Sequence, residues 1–237
     1  MSDLYELLQK IKKSPSLYLG RHSIVSFQSF LCGYNIARRE TESPKTAQEK
    51  KFSEFKEWIQ ERFCIQSTQS WGGIILFYYE DERIALDQFF ELWSEFLNRD
   101  QLSEIDNASD SSSSWIHIKS DFYELLQQIK KRPPMYLYRY SILSFLAFWS
   151  GYKIALAQFG IQPTRQHEEF EEFLRWIPER FEVQTGQSWA SIILFYSSDE
   201  RSALDTFFEL WSEFLNREQF SEMDNVSDLN SESNDDD

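Results

Sequence analysis

Two kinds of polar segment carry the side chains best suited to chemistry. The first reads Lys12-Lys-Ser-Pro-Ser-Leu-Tyr-Leu-Gly-Arg-His-Ser-Ile24, and a second version of it reads Lys130-Lys-Arg-Pro-Pro-Met-Tyr-Leu-Tyr-Arg-Tyr-Ser-Ile142. Tyr18 and Tyr136 can stack or hydrogen-bond, and Arg21 and Arg139 can fork onto a carboxylate or phosphate. Tyr beside Arg is also the composition of a binding hot spot. A structural corner would use the same residues: Pro stops a helix, Tyr-Leu packs, and Ser23 or Ser141 caps the next helix. Lys10, Lys12, Lys13, Lys130, Lys131 and Arg132 add a basic cluster of the kind that binds nucleic acid, but the surrounding balance is acidic.

The second kind is a row of carboxylates. Asp87, Glu91 and Glu95 stand at i, i+4 and i+8, and Asp205, Glu209 and Glu213 repeat the pattern. On a helix each row shares one face. Such a face attracts a basic partner protein. It can also lend oxygens to Mg²⁺ or Ca²⁺, although those sites draw ligands from several segments or from water. The plain alternative is the solvated side of an amphipathic helix.

Other chemistries lack their residues. Within the repeat described next, Cys32 stands opposite Ser150, Cys64 opposite Glu182, His22 opposite Tyr140 and His167 opposite Glu49. No CxxC, P-loop, GxGxxG or HExxH spacing occurs. We therefore expect no catalytic residue, no metal site and no cofactor.

These segments sit in a long internal repeat. Tyr5-Glu-Leu-Leu-Gln9 returns as Tyr123-Glu-Leu-Leu-Gln127, and the same offset of 118 carries Trp58 to Trp176 and Trp71 to Trp189. Without a gap, positions 4–107 and 122–225 share 62 of 104 residues. A repeat of this length implies a duplicated domain rather than a solenoid unit of about 20–50 residues. We expect an all-α fold, a tandem duplication of a roughly five-helix domain. Copy 1 covers 1–99, an acidic Ser-rich linker 100–120, copy 2 121–217, and a disordered acidic tail 218–237.

Helical spacing is clear in most elements. Leu4, Leu7, Leu8 and Ile11 form one stripe, and Ile24, Phe27, Phe30, Leu31 and Tyr34 another. Gly33 and Gly151 fall mid-helix, where each costs about 1 kcal/mol against Ala; close approach of two helices would account for them. Phe52, Phe55, Trp58, Ile59 and Phe63 follow. Residues 70–79 admit strand or helix, and the spacing of Trp71, Ile74, Ile75 and Tyr78 predicts a buried helix. The last helix opens on Asp81 as N-cap and buries Ala85, Leu86, Phe89, Phe90, Trp93, Phe96 and Leu97. Its second version runs from Asp199 to Arg217.

The chain has 237 residues and a net charge of −15, with 21 Phe, 11 Tyr and 8 Trp, too aromatic for wholesale disorder. Residues 1–99 and 122–217 hold only −1 and −2, whereas 100–121 hold −4 and 218–237 hold −8. A uniformly acidic, DNA-like surface is thus not expected. Trp115, Ile116 and Ile118 form an apolar island in the linker. No apolar stretch nears the ~18 residues of a membrane span, no secretory signal opens the chain, and two cysteines make no disulfide framework. A cytoplasmic protein without membrane contact is expected.

At Pro133-x-Met135-Tyr136-Leu137 with Ser141-Ile142, then Gln187-Ser188-Trp189 with Ile192-Ile193 and Asp205-x-Phe-Phe-Glu-Leu210, the chain resembles a group of uncharacterised small all-helical bacterial proteins. Some of these resemble immunity proteins of toxin systems. Copy 1 departs at Ser16 and Leu17, and copy 2 at Tyr138, where copy 1 has Gly20. The resemblance implies a helical fold and carries no active-site residues. The functional expectation is a non-enzymatic protein-binding module of inhibitor or immunity type. Its partner is another, basic protein, met through Tyr18, Arg21, Tyr136, Arg139 and the two carboxylate rows. Two alternatives stay open. One is an assembly protein forming a pseudo-twofold helical unit or homo-oligomer. The other is an enzyme or nucleic-acid binder using the Tyr-Arg loop, with nucleic acid disfavoured by the acidic balance.

Overall fold

A computed structural model describes residues 4–41, 43–65, 67–99 and 121–231, with side chains to residue 217. Among these residues are twelve helices and no strand. The first six are α1 (Leu4–Lys13), α2 (Pro15–Leu19), α3 (Ile24–Arg39), α4 (Ala47–Arg62), α5 (Trp71–Tyr79) and α6 (Glu82–Arg99). The next are α7 (Phe122–Lys131), α8 (Pro133–Leu137), α9 (Ile142–Phe159), α10 (Arg165–Arg180), α11 (Trp189–Phe195) and α12 (Glu200–Ser231). Every helix of the second set begins 118 residues after its counterpart in the first. The expected linker with its apolar island, and residues 232–237, lie outside the described residues.

Two elements differ from the sequence reading. Each set holds six helices, not five, because Pro15 and Pro133 open a one-turn helix as well as ending the one before. Proline suits the first turn of a helix, where its missing N–H has no intrahelical acceptor to serve. Secondly, the helical backbone of α12 continues to Ser231, into the segment read as a disordered tail. No Gly or Pro interrupts Glu200–Ser231. The ambiguous segment 70–79 is helical, and Ser70 Oγ accepts the Gly73 N–H at 3.0 Å to cap it. Ser188 does the same for Ser191 at 3.1 Å. The expected N-cap Asp81 accepts from the Arg83 and Ile84 N–H groups, both at 2.9 Å.

By contact the chain divides into two units, Met1–Pro163 and Thr164–Asp237, a boundary between α9 and α10. In the first unit α3 and α9 pack along one another more extensively than any other pair. The two mid-helix glycines make this possible. A Cβ on Gly33 would strike the Phe148 carbonyl, and one on Gly151 would strike the Phe30 carbonyl. The contact is reciprocal, since Phe30 and Phe148, like Gly33 and Gly151, are 118 residues apart. At one end Tyr152 OH donates to Glu40 Oε1 at 2.5 Å. Near the other, Ser29 Oγ donates to the Leu137 carbonyl at 2.7 Å.

Among the described residues α9 is the one helix long and apolar enough, by length and composition, to cross a membrane, although the sequence reading expected no such stretch. More than half of it is buried inside the protein, and its packing on α3 accounts for its apolar character.

Aromatic rings fill the rest of the first unit. Phe55 meets Trp93 at 5.1 Å and Phe89 at 5.5 Å, both edge to face, with Phe27, Phe52, Trp71 and Phe96 around them. The second unit repeats its central contacts in register, with Phe173 against Trp211 at 5.0 Å and Phe207 at 5.3 Å. Edge-to-face pairs contribute about 0.5–1.5 kcal/mol beyond the area they bury.

Candidate functional site

The carboxylate row of α6 lies on one side of the helix, as its spacing requires, and meets nitrogen-bearing side chains from three other segments. Asp87 Oδ1 pairs with His22 Nε2 at 2.8 Å, Glu91 with Lys12 Nζ at 3.2 Å and Glu95 with Arg62 Nε at 3.2 Å. On α12, Glu213 pairs with Arg180 Nε at 2.7 Å, while Asp205 and Glu209 lie exposed. These pairs are solvent-facing, so each adds little to stability. Their consequence is electrostatic: the α6 row is matched within the chain, which blunts its pull on a basic partner.

The Tyr-Arg loops are corners. Tyr18 is half-buried on α2. Arg21 Nε donates to Ser26 Oγ at 3.0 Å. Tyr136 is buried, and its hydroxyl donates to Gln128 Oε1 at 2.7 Å. Arg139 pairs with Glu82 at the start of α6, and the same carboxylate accepts from Ser23 Oγ. Ser23 caps α3 through the Ser26 N–H, and Ser141 caps α9 through Leu143 and Ser144. The corner thus fastens α8–α9 to the starts of α3 and α6.

Cys32 is poorly suited to nucleophile chemistry. Burial pushes the Cys32 thiol up to about 12, far from the thiolate a nucleophile needs. No group of three or more His, Cys, Asp or Glu among the described residues is placed to hold a metal ion.

Sequence reasoning missed the feature that stands out on the surface. Phe77 and Tyr78 lie in the last turn of α5, and Phe195 and Tyr196 are the last residue and the C-cap of α11; Phe77 is 74% exposed and Phe195 80%. The same exposure of large apolar side chains is repeated at equivalent positions of both units. The geometry repeats closely. Tyr78 stacks on Phe63 with ring centroids 4.5 Å apart, and Tyr196 on Phe181 at 4.8 Å. Phe77 stands at 87° to Tyr78 across 5.5 Å, and Phe195 at 88° to Tyr196 across 5.1 Å. Tyr78 OH also donates to the Phe63 carbonyl at 3.3 Å. Each unit therefore presents two perpendicular rings, one of them held by a third ring behind it.

The backbone beneath each corner is unusual in the same way. Helices α4 and α10 both end with a non-glycine residue in the left-handed region, Cys64 at φ 52° and Glu182 at φ 54°. Ile65 N–H then reaches back to the Gln60 carbonyl at 3.0 Å, and Val183 N–H to Pro178 at 3.0 Å. This closure turns the chain sharply, and a shallow groove opens at each turn, lined by the two aromatic rings in the second unit. In the first unit Glu57, Glu61, Cys64 and Ile65 line it; in the second, Glu182, Val183, Phe195 and Tyr196 do. The available signal was the run Ile-Ile-Leu-Phe-Tyr, identical at 74–78 and 192–196. Its apolar character reads as core throughout, whereas a helix this short buries only one side.

The chain matches no protein-family model, no curated protein and no solved structure.

Proposed function

We propose that this chain is a non-enzymatic protein-binding module, the product of a tandem duplication, and that it acts as an inhibitor or immunity-type protein on a basic partner. The carrying observation is the pair of exposed Phe-Tyr corners, Phe77–Tyr78 and Phe195–Tyr196, at equivalent positions and with equivalent ring geometry. The 118-residue register of every helix start supports duplication as the origin of that equivalence. Two free cysteines, Cys32 and Cys64, fit the reducing compartment we propose for it. The Tyr-Arg loops and the α6 row serve the fold in this reading, and the corners serve the partner.

Photo-crosslinking tests it. With p-benzoylphenylalanine in place of Phe77 or Phe195, a discrete crosslinked protein should appear in cells. None should appear from the exposed control position Arg175. Equal crosslinking from Arg175, or none from either corner, would sink the reading. A crosslink to a second copy of the chain would transfer support to the assembly alternative.

A further inference from the structure

Charge is sorted along this chain more sharply than its total reveals. No Asp or Glu falls between Glu6 and Glu40 or between Glu124 and Pro163, intervals that hold six and five Lys or Arg residues. Both lie in the first unit, and the fold brings parts of them to one end. Helices α3 and α9 run side by side in the same direction. Ser23 and Arg139, in the loops ahead of them, share the Glu82 carboxylate. Toward their far ends Tyr34 meets Phe159 at 5.9 Å and Tyr152 reaches Glu40. The one-turn helix α2 packs across on α9, and α8 on α3, so both stand where the long pair begins. Each carries an exposed apolar side chain at the equivalent position, Leu17 at 78% and Met135 at 46%. Exposed cations precede them, Lys13 in one and Lys131 and Arg132 in the other, and these take no ion pair among the described residues. Glu82, Asp87 and Glu91 of α6 approach this end, but Arg139, His22 and Lys12 already engage them.

We infer that this end of the first unit is a docking surface for an anionic bilayer. Leu17 and Met135 enter the boundary between headgroups and acyl chains, and Lys13, Lys131 and Arg132 meet the lipid phosphates and carboxylates. One weak anchor gives only marginal, reversible attachment, and stable attachment takes two signals. Here an apolar and a basic signal coincide, and each occurs in both repeats. Leu17 and Met135 offer no ring for a base to stack on, which favours acyl chains over single-stranded nucleic acid. Contact of this kind needs no spanning helix, so the short apolar runs of the sequence do not bear on it.

The test floats the full chain with phosphatidylcholine vesicles containing about one third phosphatidylserine. The chain should bind these and not vesicles of phosphatidylcholine alone. Binding should be lost at about 1 M salt, where the Debye length is about 3 Å. Lys13→Gln/Lys131→Gln/Arg132→Gln should weaken it about a hundredfold, from about fivefold per charge. Leu17→Ser/Met135→Ser should weaken it about tenfold with an unchanged melting temperature, since both side chains are exposed. The charge-matched variant Lys50→Gln/Arg175→Gln/Arg201→Gln, altered at exposed positions on other helices, should bind nearly as well as the natural chain. No binding to the anionic vesicles, equal binding to neutral ones, or equal losses from the two triple variants overturns the site. Binding untouched by Leu17→Ser/Met135→Ser overturns the insertion of these two side chains. Capture of polyuridylate in place of the anionic vesicles would assign the patch to nucleic acid and overturn the bilayer. Phe77 and Phe195 take no part in any of these outcomes, so crosslinking decides the aromatic corners separately.

Discussion

The guanidinium of Arg38 closes onto the Glu49 carboxylate through two hydrogen bonds, Nε to Oε1 at 2.9 Å and Nη2 to Oε2 at 3.3 Å. Both side chains are nearly buried, at 9% and 11% exposure. Arg38 also donates to Thr41 Oγ1 and to the carbonyls of Ser43 and Pro44, and lies over the Phe159 ring. It thereby holds the α3–α4 connection. In the second repeat these positions are Leu156 and His167, an apolar residue and a neutral-capable one. Arg38→Leu alone strands a buried carboxylate and should cost about 3–5 kcal/mol. Adding Glu49→His, which installs the other repeat's pair, should recover at least about half of that loss. Urea denaturation of the two variants decides; a double variant as unstable as the single would show that the two positions do not act together.

His167 should give the fold an acid-sensitive point. Its Nδ1 accepts the Thr164 N–H at 3.0 Å, which caps α10. Burial lowers its pKa. The unfolded chain therefore takes up this proton at a higher pH than the folded one. The stabilisation is complete above the ordinary value of about 6.5 and declines as pH falls below it. His167→Gln keeps an acceptor at the capping position and removes the titration. Its melting temperature between pH 7 and pH 5 should fall less steeply than that of the natural chain, and parallel slopes would count against the assignment.

Substituting the crossing glycines should be expensive despite better helix propensity. Gly33→Ala or Gly151→Ala gains about 1 kcal/mol in the helix but drives a methyl group into a backbone carbonyl. The expected net loss is about 1–3 kcal/mol. Gly186, with nothing within 4 Å of its would-be Cβ, is the control, and Gly186→Ala should stay within about 0.5 kcal/mol. A crossing variant as stable as that control would contradict the packing.

The left-handed closures should be improvable. Cys64→Gly and Glu182→Gly relieve a conformation that costs a side-chain-bearing residue roughly 1–2 kcal/mol, offset partly by the greater freedom of glycine in the unfolded chain. Each should raise stability by up to about 1 kcal/mol in thermal or urea unfolding. Destabilisation at both sites would mean that the Cys64 and Glu182 side chains contribute contacts outweighing the strain.

The helical skeleton is largely legible in the spacing of its apolar residues. Leu4, Leu7, Leu8 and Ile11 are buried together, as are Phe52, Phe55 and Ile59. The reason for Gly33 and Gly151 was legible too, because a costly residue inside a strong helix pattern asks for a close neighbour. Which helix that neighbour belongs to was not: periodicity shows that a face is buried, not against what. The same limit hid the side chains facing Asp87, Glu91 and Glu95. His22, Lys12 and Arg62 come from other segments, and only folding brings them to α6. Pro15 was read as a stop and not also a start. Tyr78 fits the buried spacing with Trp71, Ile74 and Ile75 yet lies exposed, since an apolar run carries no mark of where a short helix turns its last residues outward.

The reciprocal glycine crossing bears on how such a chain can change over time. Each half supplies both the small residue that admits its neighbour and the carbonyl that fills the space thus made. A substitution on this line in one half is felt at once by the other, and the natural relief, a shift of the helix axis, would displace the second contact as it eased the first. Residues of α3 and α9 that face away from this seam are free of that constraint, while those along it are tied to one another. Such a seam acts as a brake on specialisation, because either half can take on a new task only with sequence changes that leave the other half's fit undisturbed.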